Sequence, residues 1–403
     1  MRRGLLSDLF VGVVVKQLTL VETVTEKSNQ HEFQGTKPLK RLLGNEDRRR
    51  IPTRFIWLSG EQDAVSEDGF VSWSNVRKGK PRAAEFHLYY SGNAVTELMR
   101  AGDTLFLALQ RDGSLLVIIA PAASTIQNQL RWLFGLEEQS ELAFTFQEID
   151  ASAELDFAAR YILDELGIDP EEPEAAQLDR LIEPYGLTFP RTRDFSDLAR
   201  SSLPHVSAAD DPDRALIEWM DREEQLFRRL ERRIVAERIG NGFDAIDGAD
   251  VDGFLSFSLS VQNRRKSRAG QALENHLEAV FQAYAVRYSR GAETENRNKP
   301  DFLFPGEGEY RDPTFPDARL TMLGAKSTLK DRWRQVLSEA TRISEKHLLT
   351  LEPGVSENQT DEMRAKHLQL VIPRQLHGTY RLTQQAWLMD IATFLTIVRE
   401  RQK

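Results

Sequence analysis

The chain has 403 residues, no cysteine, 40% hydrophobic and 29% charged residues, and a net charge of −9. That length predicts two domains. The missing cysteines remove disulfides, zinc knuckles and thiol catalysis, in keeping with a reducing, cytoplasmic setting. Net negative charge excludes a uniformly basic coat but not local basic surfaces, because binding follows where charges cluster.

The start, Met1-Arg2-Arg3-Gly4-Leu5-Leu6, is interrupted by Asp8 and Lys16 and shows no small-residue cleavage site, so export is rejected. No apolar run reaches the roughly 18 residues of a membrane helix, which predicts a soluble protein without a membrane partner.

From Met1 to about Gly135 the chain reads as mostly β. Phe10 to Leu20, Phe55 to Leu58, Glu85 to Tyr90 and Thr104 to Ala120 are rich in branched and aromatic residues. Asp112-Gly113 between two apolar runs predicts a hairpin, and several short strands suggest a small barrel. Two polar, basic loops stand between these strands: Lys27-Ser28-Asn29-Gln30-His31 through Lys37, and Trp73 through Arg82, with Arg77, Lys78, Lys80 and Arg82. Helical spacing begins after Ser152 and ends at Gly167. The acidic, proline-punctuated Asp169-Pro170-Glu171-Glu172-Pro173-Glu174 then predicts a linker.

The second half alternates helices and strands, predicting an α/β domain with a mixed central sheet. Helices are expected over Asp213 to Ile239, Gln271 to Tyr284, Lys330 to Ser344 and Gln384 to Arg399. Strands are expected over Asp301 to Phe304, Leu320 to Ser327, Leu348 to Leu351 and Leu368 to Ile372. The seven histidines are scattered without metal-ligand spacing and are assigned no chemistry.

Within that pattern, Lys299-Pro300-Asp301 precedes one strand, Ala325-Lys326-Ser327-Thr328 ends another, and Glu339 follows thirteen positions after Lys326. Phosphodiester hydrolysis calls for a hard cation held by a few carboxylates, with water and phosphate completing its shell. Asp301 and Glu339 are the candidate Mg2+ ligands, and Lys326 is the candidate for stabilising charge that grows on phosphate oxygens. A surface ion pair between Asp301 and Lys326 is the plainer alternative.

Pro-Asp followed by a strand ending in acid-x-Lys marks the PD-(D/E)xK nucleases, and this sequence resembles them with one departure. Gly324 stands where the second acid belongs. A variant within that superfamily moves the acid onto the following helix, which suits Glu339. Ser260 through Gly270, Leu273-Glu274-Asn275-His276-Leu277-Glu278, Lys299 through Pro305 and Lys330-Asp331-Arg332-Trp333-Arg334-Gln335 closely resemble the catalytic domain of EcoRII-type restriction endonucleases. The likeness is strong from about Arg180 to Tyr380 and looser in the N-terminal half.

The resemblance implies an α/β C-terminal restriction-endonuclease-like domain with a central mixed sheet, joined to a mainly β N-terminal B3-like pseudobarrel. The expected division is residues 1–167 for effector DNA binding, a linker at 168–180, and 181–403 for catalysis. It implies Glu274 as an additional acid at the active site, with Glu278 as the fallback, and Lys330, Asp331 and Arg332 as readers of CC:GG. Arg and Lys donate to guanine O6 and N7, and an acid accepts from cytosine N4. Arg264, Arg265, Lys266 and Arg268 are expected to touch DNA phosphates. Trp219 and Arg222 are the candidates for a base-flipping pocket, and Arg77, Lys78, Lys80 and Arg82 for the grip on effector DNA.

The activity implied is Mg2+-dependent cleavage of double-stranded DNA at a CCWGG-like site, activated by a second, effector copy of the site. The partners implied are double-stranded DNA, a second subunit related by a two-fold axis, and a cognate methyltransferase that protects host sites. A modification-dependent nuclease and a DNA-binding regulator with a dead nuclease fold fit the same sequence.

Overall fold

A computed structural model describes residues 4–23, 31–59, 64–136, 143–170, 173–245 and 248–403. The chain divides into two compact units, one formed by Arg3–Pro170 with Pro353–Asn358, the other mainly by Glu171–Glu352 and Gln359–Lys403. Residues 168–180, expected to be a linker, carry helix from Ala175 onward. Leu178 and Ile182 there are fully buried, which draws the segment into the second unit's core.

The N-terminal unit contains β1 (Phe10–Gln17), α1 (Leu20–Thr23), β2 (Glu32–Gln34), α2 (Lys37–Leu43), β3 (Arg48–Trp57), β4 (Val65–Asn75) and β5 (Phe86–Tyr90). It continues with β6 (Thr104–Gln110), β7 (Leu115–Ala120), α3 (Thr125–Leu133), β8 (Thr145–Glu148) and α4 (Phe157–Glu165). The eight strands form one sheet in the order β2-β5-β4-β3-β7-β6-β1-β8. Only β3 and β7 pair in parallel. The expected hairpin at Asp112-Gly113 joins β6 to β7, with Gly113 at φ +85° and its N–H donating to Gln110 O at 3.0 Å.

Two cores result because β6 and β7 are buried on both faces, as their uninterrupted apolar runs require. One packs α3 and α4 through Ile126, Leu130, Ile162 and Leu163; the other gathers Phe33, Trp73, Leu88 and Leu107. At the two ends of the sheet order, Phe33 of β2 meets Phe144, just before β8, edge to face at 5.8 Å.

The C-terminal unit begins with α5 (Ala175–Ile182), α6 (Thr192–Ser201) and α7 (Pro212–Gly240). Pro212 opens α7 behind Asp211, whose side chain accepts the Arg214 N–H at 3.0 Å. After the two-residue strands β9 (Asp244–Ala245) and β10 (Gly248–Ala249) comes α8 (Val251–Ala283). The sequence predicts this helix only from Gln271; it starts twenty residues earlier, capped by Asp250, and takes in all four cations of 264–268.

The remaining elements are β11 (Ser289–Arg290), β12 (Phe302–Phe304), α9 (Glu307–Arg311), β13 (Thr321–Lys326), α10 (Trp333–Val336) and β14 (Lys346–Thr350). α11 (Glu357–Ala365), β15 (Leu368–Val371), α12 (Leu382–Gln385) and α13 (Ile391–Arg401) complete the chain. The sheet runs β11-β12-β13-β14-β15, antiparallel as far as β13 and parallel from there. It is mixed, as expected. Phe281 of α8 meets Phe302 and Phe304 edge to face at 5.0 and 5.2 Å, and Phe304 meets Phe394 of α13 at 5.7 Å. These contacts fix β12, and the residue just before it, between helices.

Candidate active site

β12 and β13 pair with Phe302 opposite Leu323, so one further step sets Asp301 beside Gly324 at the open end of the sheet. Asp301 Oδ2 accepts the Ala325 N–H at 2.6 Å and the Lys326 Nζ at 2.8 Å. Both side chains are largely covered, at 15% and 17% exposure, so this ion pair is not the exposed kind that solvent screens away.

Gly324 explains the absent acid. A Cβ at this position would lie 3.0 Å from Val336 Cγ2 and 3.4 Å from Leu348 Cδ1. Any longer side chain would have to displace the packing between β13 and α10. An acid for this site must therefore come from elsewhere.

Glu339 comes from a different structure than the sequence predicts. The helix expected over Lys330 to Ser344 is a 3-10 turn at Lys330–Arg332 followed by α10, which ends at Val336. Glu339 lies beyond it, in a bend before Ala340, whose φ is +46°. Buried Lys346 donates to the carbonyls of Ala340 (3.4 Å) and Ile343 (2.7 Å), and Asn298 Nδ2 donates to Ser338 O at 2.8 Å. This bracing delivers Glu339 inward at 9% exposure, with Oε2 buried and without a hydrogen-bond partner. Burial pushes its carboxyl up to about 7, with Lys326 and Lys346 opposing the rise and Asp301 adding to it.

Glu274 also faces this cluster. Burial and the Asp301 charge raise its pKa, while Arg290 opposes the rise. Arg290, on β11, was not singled out in the sequence because its meaning depends on the strand that carries it to α8. It donates to Glu274 Oε2 at 2.9 Å, to Glu278 Oε2 at 2.6 Å and to Asn275 Oδ1 at 2.9 Å. Glu278 also pairs with Arg193 at 3.0 Å. Arg290 thus bridges the two acids of one helix face, and Glu274 is the one that shares the Asp301 field.

The structure brings together Asp301, Lys326, Glu339 and Glu274. The triplet lies close in the chain: Lys330 takes φ +36°, Arg332 is exposed, and only the backbone of Asp331 is described. Fully buried Trp333 anchors the turn directly behind it.

The remaining candidates are placed as follows. Arg264, Arg265, Lys266 and Arg268 lie within a helix rather than ahead of one. They ride on α8, where Arg265 is held by Glu231 and the 7%-exposed Arg268 pairs with Glu223 (3.3 Å) and Glu224 while stacking over Phe227. These two guanidiniums are thus ion-paired with acids of α7. Arg264 stacks on Phe189 at 4.4 Å, and both it and Lys266 are exposed.

Trp219 and Arg222 are also interior. They are 6% and 2% exposed, with the indole 5.8 Å from the His276 ring and Arg222 3.3 Å from Glu174. α7 thus turns Trp219 toward α8 and Arg222 toward the start of α5. In the N-terminal unit, Arg77 pairs with Glu85 and Lys78 with Asp47 at 2.7 Å, leaving Lys80 and Arg82 exposed. Residues 27–30 of the other basic loop lie outside the described residues.

Asp301 just ahead of one strand and Lys326 at the end of its neighbour are thus joined by acids from outside the sheet. Residues 227–395 match the family model described as EcoRII C terminal. In particular, the chain is 42% identical over 216 residues to the type II restriction enzyme EcoRII of Escherichia coli, a match covering 53% of this chain and 52% of that one. The chain thus spans about half the length of the curated relative it matches. Similar solved structures include a metal-depleted complex of Ecl18kI with uncleaved, modified DNA (TM-score 0.42, 19% identity, 56% of this chain and 83% of that chain). A complex of the restriction endonuclease PspGI with substrate DNA is another (TM-score 0.44, 11% identity, 53% and 93%). Among the described residues, no helix is long and apolar enough to cross a membrane.

Proposed function

We propose that this chain is a type II, IIE-like restriction endonuclease that hydrolyses phosphodiester bonds of double-stranded DNA at a CCWGG-like site. The observation that carries the reading is the buried, unpartnered Oε2 of Glu339, in a pocket of charge shared with Asp301 and Lys326. Among the described residues no donor reaches that oxygen, and the charges of Lys326 and Lys346 only partly offset its burial, which suits a group that awaits a cation.

Among the described residues, no three acids or histidines are arranged to hold a metal unaided. Two carboxylates nonetheless fit Mg2+, which keeps several waters and takes phosphate oxygens as its other ligands. Asp301 and Glu339 would hold the ion, whose chemistry there is to polarise phosphate and lower the pKa of water. Lys326 contributes a fixed positive charge beside the scissile phosphate. Glu274, clamped by Arg290, sets the local field around Asp301 and Lys326.

Lys330, Asp331 and Arg332 read CC:GG from the turn that leaves the catalytic strand, which couples recognition to cleavage over a few residues. Arg264 and Lys266 remain as backbone contacts. Two-fold pairing of subunits suits a palindromic duplex, and a methyltransferase of matching specificity protects host sites. The N-terminal unit, read as B3-like, binds an effector copy of the site with Lys80 and Arg82 and is thermodynamically coupled to cleavage.

Incubating the protein with Mg2+ and paired methylated and unmethylated plasmids, then sequencing the cut ends, tests this. The expected result is double-strand cleavage of unmethylated DNA at sites containing CC and GG. Cleavage confined to methylated DNA would instead mean a modification-dependent nuclease, and binding without cleavage a dead regulator.

A further inference from the structure

The N-terminal unit carries a cationic site that none of these assignments uses. Arg48, Arg49 and Arg50 open β3 in succession, and the pairing with β4 slips there: Arg48 lies opposite Trp73, but Ile51 opposite Val71. The extra residue makes a β-bulge, a device that re-aims side chains. Arg50 takes φ +50° and donates its N–H to Ser72 Oγ at 3.2 Å. A non-glycine residue in that region is strained, and such positions concentrate at functional sites.

The three arginines differ in what they do. Arg48 donates to Gly113 O at 3.0 Å and braces the β6–β7 turn. Arg49 and Arg50 are exposed, and no described carboxylate lies within salt-bridge distance of either. The neighbouring acid, Asp47, is engaged by Lys78 and by the Asn75 N–H, each at 2.7 Å. Arg50 lies 4.1 Å from the ring of Phe70, an aromatic left 45% exposed. A guanidinium stacked in this way is ordered in advance yet keeps its N–H edge for a phosphate fork. The cations chosen from the sequence are in part the poorer candidates, since Arg77 and Lys78 are neutralised by Glu85 and Asp47.

We propose that Arg49 and Arg50, on the β3 bulge, form a site for the phosphate backbone of duplex DNA, continuous through Asp47 with the loop that bears Lys80 and Arg82. This rests on the reading that the N-terminal unit binds DNA. Each phosphate contact adds about 0.9 to the slope of log K against log salt, so the bulge has a countable readout.

The test uses the full chain bearing Lys326→Ala, to prevent cutting, and a duplex that carries the CC- and GG-containing site, with affinity followed by anisotropy across a range of NaCl. Arg49→Gln/Arg50→Asn removes the charges with a residue that tolerates the left-handed backbone. The slope is expected to fall by about one to two, with the melting temperature unchanged. Arg49→Lys/Arg50→Lys should retain the slope. Lys80→Gln/Arg82→Gln should lower it. If only this last pair lowers the slope, the bulge site is wrong and the DNA-binding reading stands. If neither neutral pair does, or the Lys326→Ala chain does not bind duplex, both are wrong. A slope lost in the lysine pair as well, together with the melting temperature, would show a structural role and overturn the site.

Discussion

Lys326→Ala is expected to reduce DNA cleavage by at least about a hundredfold, the loss typical of deleting one fixed charge or donor aimed at a transition state. Duplex binding should persist, because the residues proposed to read and hold DNA are distinct from it. Among the described residues, two neighbouring cations are committed elsewhere. Lys326 is the cation bonded to Asp301, whose other partner at the same oxygen is the Ala325 N–H. Arg290 is committed to Glu274 and Glu278, and Lys346 to the carbonyls of Ala340 and Ile343. Single-turnover cleavage of a plasmid checks the expectation, and a rate near that of the unaltered chain would remove Lys326 from its assigned role.

Glu339→Gln is expected to do two opposite things: abolish cleavage, and stabilise the metal-free protein above neutral pH. Burial holds the folded-state carboxyl at about 7, above its ordinary value of 4.5. A raised pKa means that this group favours folding below about pH 4.5 and loses that contribution as pH rises through about 7. Lys326 and Lys346 moderate the effect and Asp301 increases it. At 1.36 kcal/mol per pKa unit, the ionised carboxylate destabilises the metal-free fold at pH 8 by up to about 3 kcal/mol. Glutamine has the same shape without the charge. Urea unfolding in EDTA should therefore show the variant gaining stability over the parent between pH 5 and pH 8. A variant less stable than the parent at pH 8 would mean that the carboxylate is already satisfied within the fold.

The positions of Asp301 and Lys326 were legible in the sequence because both sit at the ends of apolar runs, Phe302–Phe304 and Thr321–Lys326, that can only be buried strands. Glu339 was identified, but its setting was not. Helical spacing continues past Val336, whereas the actual bend is held from a distance by Lys346 and Asn298. For Arg265 and Arg268 the sequence showed the cations but not their partners. Glu223, Glu224 and Glu231, which pair with them, lie on α7 more than thirty residues away. Arg290 carried no local signal at all. In each case the missing information was a contact between distant segments, which composition and period do not encode.

Asp301 and Glu339 are proposed to share one divalent ion. Mn2+ binding to the full chain, followed by electron paramagnetic resonance across pH 6 to 8, measures this without reference to cleavage. Affinity should rise with pH as Glu339 gives up its proton near 7, and Asp301→Asn and Glu339→Gln should each weaken it about tenfold or more, the loss of a ligand exceeding that of a supporting group. Equal Mn2+ affinity in the parent and both variants would mean that these two carboxylates do not hold an ion together.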